Sequence, residues 1–291
     1  MGGGCGALSM AAERLRTVEA APLVRVCGLS RSYAQQRGLW RSSSHVAALR
    51  DVELNIAAGT TLAVVGESGS GKSTLARCVA CLEPPDQGEI WFDREELSKL
   101  RARELAPWRR RIQMIFQDSA AALSARMTAA AIVAEPLAVR RMGDRRSRRE
   151  AALRCMERVG LTAEQAARAP LQLSGGQRQR LAIARALVLE PQFLILDEAL
   201  SGLDLSVQAQ IVNLLLALQR DQGLTYLFIS HDLGVVRHVA DEVAVMSGGR
   251  IVERAAVGQL FQEPRHEHTK ALLAAIPRMA PQPAARGSAP Q

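Results

Sequence analysis

The chain has 291 residues, a net charge of +8, 48% hydrophobic residues and only 3% aromatic ones. That length supports one large domain or two small ones, with a core of Ala, Leu, Val and Ile. Its apolar strips are broken by Arg, Glu or Gly, so no segment is expected to cross a bilayer by itself.

The opening stretch, MGGGCGALSMAAERLR, lacks the basic-then-apolar order of a signal peptide, and Gly6 stands where a myristoylation pattern needs Ser or Thr. Residues 1–22 are expected to form a flexible segment. Five cysteines, scattered and odd in number, suit a reducing compartment. Val24–Cys27 and Val46–Ile56 read as strands. The second alternates at Val52, Leu54 and Ile56, so one face is buried. The polar stretch AQQRGLWRSSSH between them reads as a hairpin excursion.

Thr61–Val65 is a short apolar run that feeds a glycine loop, as a buried parallel strand does. The loop, GESGSGKST, comprises Gly66, Glu67, Ser68, Gly69, Ser70, Gly71, Lys72, Ser73 and Thr74 and fits G-x-x-x-x-G-K-[ST] in full, between a predicted strand and a predicted helix. Its glycines let backbone N–H groups face a β-phosphate. Lys72 reaches the β- and γ-phosphates, the Ser73 hydroxyl ligates Mg²⁺, and the helix that follows adds its dipole.

From about Leu105 to Leu173 the pattern turns helical and rich in Ala, Arg and Glu, as an inserted helical subdomain would be. It holds the basic runs Arg109–Arg111 and Arg140–Arg149. No aromatic residues interleave with them, so they read as a solvated helical face or a surface near anionic headgroups rather than a nucleic-acid site. LSGGQ follows, as Leu173, Ser174, Gly175, Gly176 and Gln177, at the start of a predicted helix. Bare N–H groups at Ser174, Gly175 and Gly176 outline a second anion cradle, this one without a lysine.

Phe193–Leu196 and Thr225–Ile229 repeat the buried-strand pattern, each ending in a polar residue, Asp197 and Ser230. In open parallel sheets such strand ends line the ligand crevice. Alone, an apolar run ending in Asp197-Glu198 is an ordinary strand end. Paired with Gly66–Thr74, it places Asp197 in a Mg²⁺ shell and Glu198 beside an attacking water. Glu242–Met246, SGG and Arg250–Glu253 read as a hairpin. Lys270–Ile276 reads as a short helix before a Pro/Ala tail expected to be disordered.

A phosphate loop, LSGGQ, an Asp-Glu strand and a later histidine, in this order, resemble the nucleotide-binding subunit of ABC transporters over about Leu23 to Phe261. The resemblance implies an α/β P-loop NTPase with a RecA-like parallel-sheet core, an antiparallel β subdomain and the helical insert at about 105–173. The ATPase domain would span 23–261, and 262–291 would be an importer-type C-terminal segment and tail. Two ATPase subunits would pack head to tail, so that Leu173–Gln177 of one completes the ATP site of the other. The second cradle needs no lysine because Lys72 of the opposite subunit supplies it. Gln117 in IFQD matches the loop that senses Mg²⁺ and contacts the membrane subunit. His231 in ISHD matches the switch histidine, Asp204 in SGLD the loop between the two sites, and Tyr33 in LSRSYA the residue stacked on adenine, with Trp40 a nearby rival.

Within that family, SARMTAAAIVAEPL, SGLDLSVQAQIVNLLLALQ and PRHEHTKALLAAIP resemble the ATPase subunits of peptide and nickel importers. This implies ATP and Mg²⁺, two permease subunits, a second ATPase subunit identical or paralogous, an extracytoplasmic solute-binding protein acting indirectly, no nucleic acid, and a place on the cytoplasmic face of the membrane. FQDS replaces FQDP, DEALSGLD replaces DEPTSALD, and His268 stands where Tyr is usual. The altered stretch Ser119–Arg126 affects how the permease would dock. A non-transport ABC ATPase, a nucleotide switch without turnover and an exporter are the rival readings. One module without a heptad run disfavours the first, Glu198 and His231 the second, and the importer-like ends the third. Cys78-x-x-Cys81 on the helix after the phosphate loop and His266-Glu-His268 in a mobile tail are read as decoys rather than metal sites.

Overall fold

The computed structural model describes residues 21–35, 44–117 and 122–275. Trp40, Asp118 and most of the expected N-terminal segment and C-terminal tail lie outside these residues.

Two sheets carry the molecule. The larger has six strands in the order β10-β9-β3-β8-β7-β6. These are β3 (Thr61–Val65), β6 (Ile112–Ile115), β7 (Phe193–Asp197), β8 (Thr225–Ile229), β9 (Glu242–Ser247) and β10 (Arg250–Ala256). All neighbours pair parallel except β9 and β10, which form the expected hairpin. The smaller sheet is antiparallel and runs β2-β1-β4-β5. It comprises β1 (Val24–Gln35), β2 (Ser44–Ile56), β4 (Gln87–Phe92) and β5 (Glu95–Glu96).

The parallel strands are buried on both faces, and side chains alternate between two cores. Leu62, Val64, Phe193, Ile195, Leu227 and Ile229 face the antiparallel sheet and α1 (Lys72–Val79). Ala63, Val65, Leu194, Leu196, Tyr226 and Phe228 face the helices on the other side. Tyr226 is fully buried, and its hydroxyl donates to the Leu215 carbonyl at 2.9 Å, as a core tyrosine requires.

The remaining helices are α2 (Trp108–Arg111), α3 (Ala129–Val139), α4 (Arg145–Arg158), α5 (Ala163–Ala166), α6 (Gly175–Leu187), α7 (Leu205–Gln222), α8 (Leu233–Val239), α9 (Val257–Gln262) and α10 (Glu267–Ala274). Local chemistry sets their starts. Thr128, Asp144, Thr162 and Ser174 each accept a hydrogen bond from the third residue of their helix.

The expected all-helical stretch from Leu105 to Leu173 is corrected at Ile112–Ile115. This segment is the edge strand β6, because its backbone pairs in parallel with Phe193–Leu196. The helices of the insert run from Ala129 to Ala166. In the basic runs Arg110, Arg141, Arg145, Arg146 and Arg149 are exposed, as a solvated face expects, while the others are partly buried. The Arg111 guanidinium lies 4.9 Å from the Phe92 ring centre and 5.0 Å from that of Trp108. Arg110 donates to the Leu189 carbonyl at 3.2 Å, and Arg109 to that of Cys81 at 3.1 Å. Arg140 braces the Ala106 carbonyl, and Arg148 those of Met142 and Gly143. Among the described residues no helix is long and apolar enough to cross a membrane.

Candidate functional site: a nucleotide site at four adjacent strand ends

The loops that follow β3, β8, β7 and β6, four neighbours in the sheet, carry the phosphate loop, His231, Glu198 and Gln117 respectively. Parallel pairing puts all four at the same edge, the crevice end of an open α/β sheet.

The phosphate loop cannot be built without glycine. A Cβ on Gly66 would lie 2.1 Å from the Met246 carbonyl oxygen, and one on Gly71, at φ +106°, would lie 2.3 Å from that of Ala48. Gly71 caps α1, and Lys72 is its first residue. The Lys72 side chain folds back into the loop. Its ammonium donates to the Gly66 and Glu67 carbonyls, both at 2.8 Å, and to Ser70 Oγ at 3.4 Å. Burial lowers its pKa, while the negative charges of Glu198 and Asp197 oppose the shift.

Ser73, one residue on, donates to Asp197 Oδ1 at 3.0 Å. Burial raises the Asp197 pKa, against the pull of the Ser73 hydrogen bond. The structure therefore joins two of the three expected Mg²⁺ ligands across 124 positions of sequence, while the third, Gln117, bonds Glu198. Glu198 follows at φ +48°. Its amide donates to the Ile229 carbonyl at 3.0 Å, and its carbonyl accepts from the Ser201 amide and hydroxyl. Its carboxylate Oε2 accepts from Gln117 Nε2 at 3.0 Å and lies 3.5 Å from His231 Nδ1. A hollow of about 70 Å³ adjoins Glu198 and His231. Phe116 lines a groove of about 530 Å³ between β6, α3 and α6, together with Gln113, Leu123, Glu135, Val139 and Arg185.

The remaining candidates stand apart from this cluster. Leu173 is buried, and Ser174 opens α6 with a reciprocal capping box. Gln177 Oε1 accepts from the Ser174 amide at 2.9 Å, so the expectation of a bare N–H at Ser174 is corrected. The amides of Gly175 and Gly176 begin the helix and have no intrahelical acceptor. Gly176 packs against Val207 and Gly175 against Leu203, on either side of Asp204, which is the N-cap of α7. Tyr33 lies on β1 and donates from its hydroxyl to Glu83.

The two motifs read as decoys are placed differently from the expectation. Cys81 is not on α1, which ends at Val79, and burial pushes the Cys78 and Cys81 thiols up to about 12 and about 11. His266 is the N-cap of an ordered helix rather than part of a mobile tail. Its Nδ1 accepts from the His268 amide at 3.1 Å, and Glu253 takes the amides of Arg265 and His266. The described residues hold no cluster able to ligate a metal through three His, Cys, Asp or Glu side chains.

A phosphate loop on a parallel sheet, with an Asp-Glu pair at the end of a neighbouring strand, defines a P-loop ATPase. The chain belongs to the ABC transporter family of such ATPases, whose model matches residues 49–201. A dipeptide transport ATP-binding protein of Haemophilus influenzae is 45% identical over 90% of this chain and 80% of its own length. A probable peptide ABC transporter ATP-binding protein of Sinorhizobium fredii is 48% identical over 88% and 72%. Among solved structures, a dimeric ATP-binding cassette in a post-hydrolysis state, bound to ADP and Pi, superposes with a TM-score of 0.71 at 32% identity, covering 80% of this chain and 98% of that one.

Proposed function

We propose that this ATPase powers the uptake of peptides or a related small solute, nickel included, by two permease subunits. The observation that carries the catalytic part is the convergence of Gln117, Glu198 and His231 beside the Ser73–Asp197 pair. The peptide part rests on the names of the relatives and on the importer-like segments of the sequence.

ATP is the substrate. Lys72 trades the loop carbonyls for β- and γ-phosphate oxygens, and the amides of Gly66–Thr74 surround the phosphates. A hydroxyl and a carboxylate 3.0 Å apart are the hard oxygen donors that Mg²⁺ takes, so Ser73 and Asp197, together with the amide oxygen of Gln117, would hold the ion. When bound, it offsets the phosphate charge. Glu198 orients the attacking water and accepts its proton. His231 faces the γ-phosphate, and Tyr33 stacks on the base. In the free chain Gln117 holds Glu198 by a hydrogen bond, so a movement of Gln117 frees the base.

The second half of each site comes from another ATPase subunit, whose Ser174 hydroxyl and Gly175 and Gly176 amides are preorganised donors for the γ-phosphate. Asp204 links the two sites. The groove beside Phe116 receives a permease helix, which places the chain on the cytoplasmic face of the membrane. ATP favours the closed dimer and release of phosphate opens it, so ATP and permease state are coupled reciprocally. The ATPase domain is 23–261, with 262–291 a C-terminal extension.

The test is to tag the Glu198→Gln chain, solubilise membranes gently with ATP and identify what co-purifies. Two permease subunits and a solute-binding protein that takes short peptides are expected. A chain that stays soluble and brings down ribosomes or DNA overturns the transport reading and leaves the ATPase.

A further inference from the structure

We propose that Glu83 is a positioning residue for the base of ATP: it holds the Tyr33 ring in place as a platform open on one face only. The inference rests on the reading of Tyr33 as the base-stacking residue and deepens it.

The turn after α1 grips β1 at three points. Glu83 Oε2 accepts from the Tyr33 hydroxyl. Asp86 Oδ1 accepts from Arg31 NH1 at 2.6 Å, and its Oδ2 from the Ser32 amide at 2.7 Å. The Arg31 guanidinium, fixed in this way, lies 5.3 Å from the Tyr33 ring centre and covers one face. The other oxygen of Glu83 lies 3.5 Å from Arg77 NH1 on α1. A planar base is therefore excluded from this face and would stack on the opposite one.

Helix α1 ties this platform to the phosphates. Its first residues are Lys72, Ser73 and Thr74, and it ends at Val79, four residues before Glu83. The segment that binds the phosphates and the turn that fixes the ring are thus joined through one short helix. Partial burial and then the Glu83 hydrogen bond raise the Tyr33 pKa, so the hydroxyl remains a donor at neutral pH. Pinning the ring in advance removes the ordering cost that a free aromatic side chain would charge against binding, roughly 0.5–1.5 kcal/mol or about 3- to 10-fold in affinity.

Steady-state ATPase kinetics of the full chain test this. Glu83→Ala and Tyr33→Phe should each raise KM for ATP about 3- to 10-fold, with kcat within about twofold and the double variant no worse than either single one. Glu83→Gln keeps an acceptor for the hydroxyl and should restore the wild-type KM. Inhibition by tripolyphosphate, which has no base, should not change in any of them. If Tyr33→Ala raises KM but Glu83→Ala and Tyr33→Phe do not, the ring stacks without being positioned, and the proposal falls while the site reading stands. If Tyr33→Ala leaves KM alone, the stacking reading fails and takes the proposal with it. If Glu83→Ala weakens tripolyphosphate binding as much as ATP binding, Glu83 merely supports the phosphate loop.

Discussion

Glu198 occupies a left-handed backbone conformation, at φ +48°, that non-glycine residues avoid. Such a residue costs about 1–3 kcal/mol and persists only where its surroundings over-determine it. Here the Ile229 carbonyl and Ser201 do so. The strain turns the carboxylate away from Asp197, its neighbour, and toward Gln117 and His231. We therefore expect Glu198→Gln to keep ATP affinity and to lower turnover by roughly 10²- to 10⁴-fold, the usual contribution of a general base. Single-turnover phosphate release beside a nucleotide-binding isotherm separates the two, and near-normal release would remove Glu198 from this role. Asp197 illustrates the cost of the site. Its folded pKa is raised, chiefly by burial, so the folded state holds its proton more tightly than the unfolded one. Below its unfolded pKa the penalty is absent. It appears as pH rises from that value through the folded pKa and is complete at neutrality. Asp197→Asn should therefore raise Tm of the nucleotide-free chain at pH 7 by about 2–4 °C, the shift that ~1 kcal/mol produces at this size. The gain should vanish near pH 3 and be accompanied by loss of ATPase activity. A lower Tm at pH 7 would mean that the Ser73 hydrogen bond outweighs desolvation.

At the scale of elements, what could be read in advance was what local pattern determines. Alternation at Val52, Leu54 and Ile56 and the runs Thr61–Val65, Phe193–Leu196 and Thr225–Ile229 gave strands because burial of one face or two leaves that mark. Ile112–Ile115 carried no such mark. Its four residues follow three arginines, and only the distant partner Phe193–Leu196 makes it a strand. The order of the C-terminal helix was hidden for the same reason, since Glu253 anchors α10 from 13 positions before His266. That anchor is pH-sensitive. Partial burial raises the Glu253 pKa, but the Thr269 hydroxyl, the Arg265 and His266 amides and the nearby His266 more than reverse this. A depressed folded pKa gives stability that is present above the unfolded value and lost as pH falls through the folded one. Amide exchange across Glu267–Ala274, corrected for intrinsic rates, should accelerate as pH drops below about 4.5, and Glu253→Gln should abolish that dependence. The packing of α6 on α7 is a second test. A Cβ on Gly176 would lie 2.7 Å from Val207 Cγ1, on a β-branched side chain that cannot swing away. Gly176→Ala should destabilise by about 1–3 kcal/mol, and Val207→Ala in the same chain should recover most of it. Urea denaturation of the four forms closes the cycle.

At the scale of the molecule, this is half a site on the proposed reading. The phosphate loop, Asp197, Glu198 and His231 meet at one sheet edge, while Leu173–Gln177 packs against α7 and makes no hydrogen bond to Gly66–Thr74 among the described residues. Two large apolar side chains flank these unused groups. Leu171, two residues before the LSGGQ stretch, is 77% exposed, and Leu205, just after Asp204, is 80% exposed. Scattered apolar residues on a surface need no explanation, but two near the half-buried start of α6 suit a surface that is covered intermittently. The head-to-tail dimer would cover them with the partner's phosphate loop, and only when ATP bridges the gap. In sedimentation velocity, the Glu198→Gln chain should be monomeric without nucleotide and should shift toward a dimer with saturating Mg-ATP. Leu205→Arg should abolish the shift and leave monomer ATP affinity intact, because Leu205 lies outside the phosphate loop. Dimerisation that ignores ATP would contradict the shared-site geometry. A chain that stays monomeric with ATP yet dimerises when a paralogous ATPase subunit is added would identify its partner as that subunit. In that case the two composite sites differ, and this chain serves one site through its phosphate loop and the other through its LSGGQ.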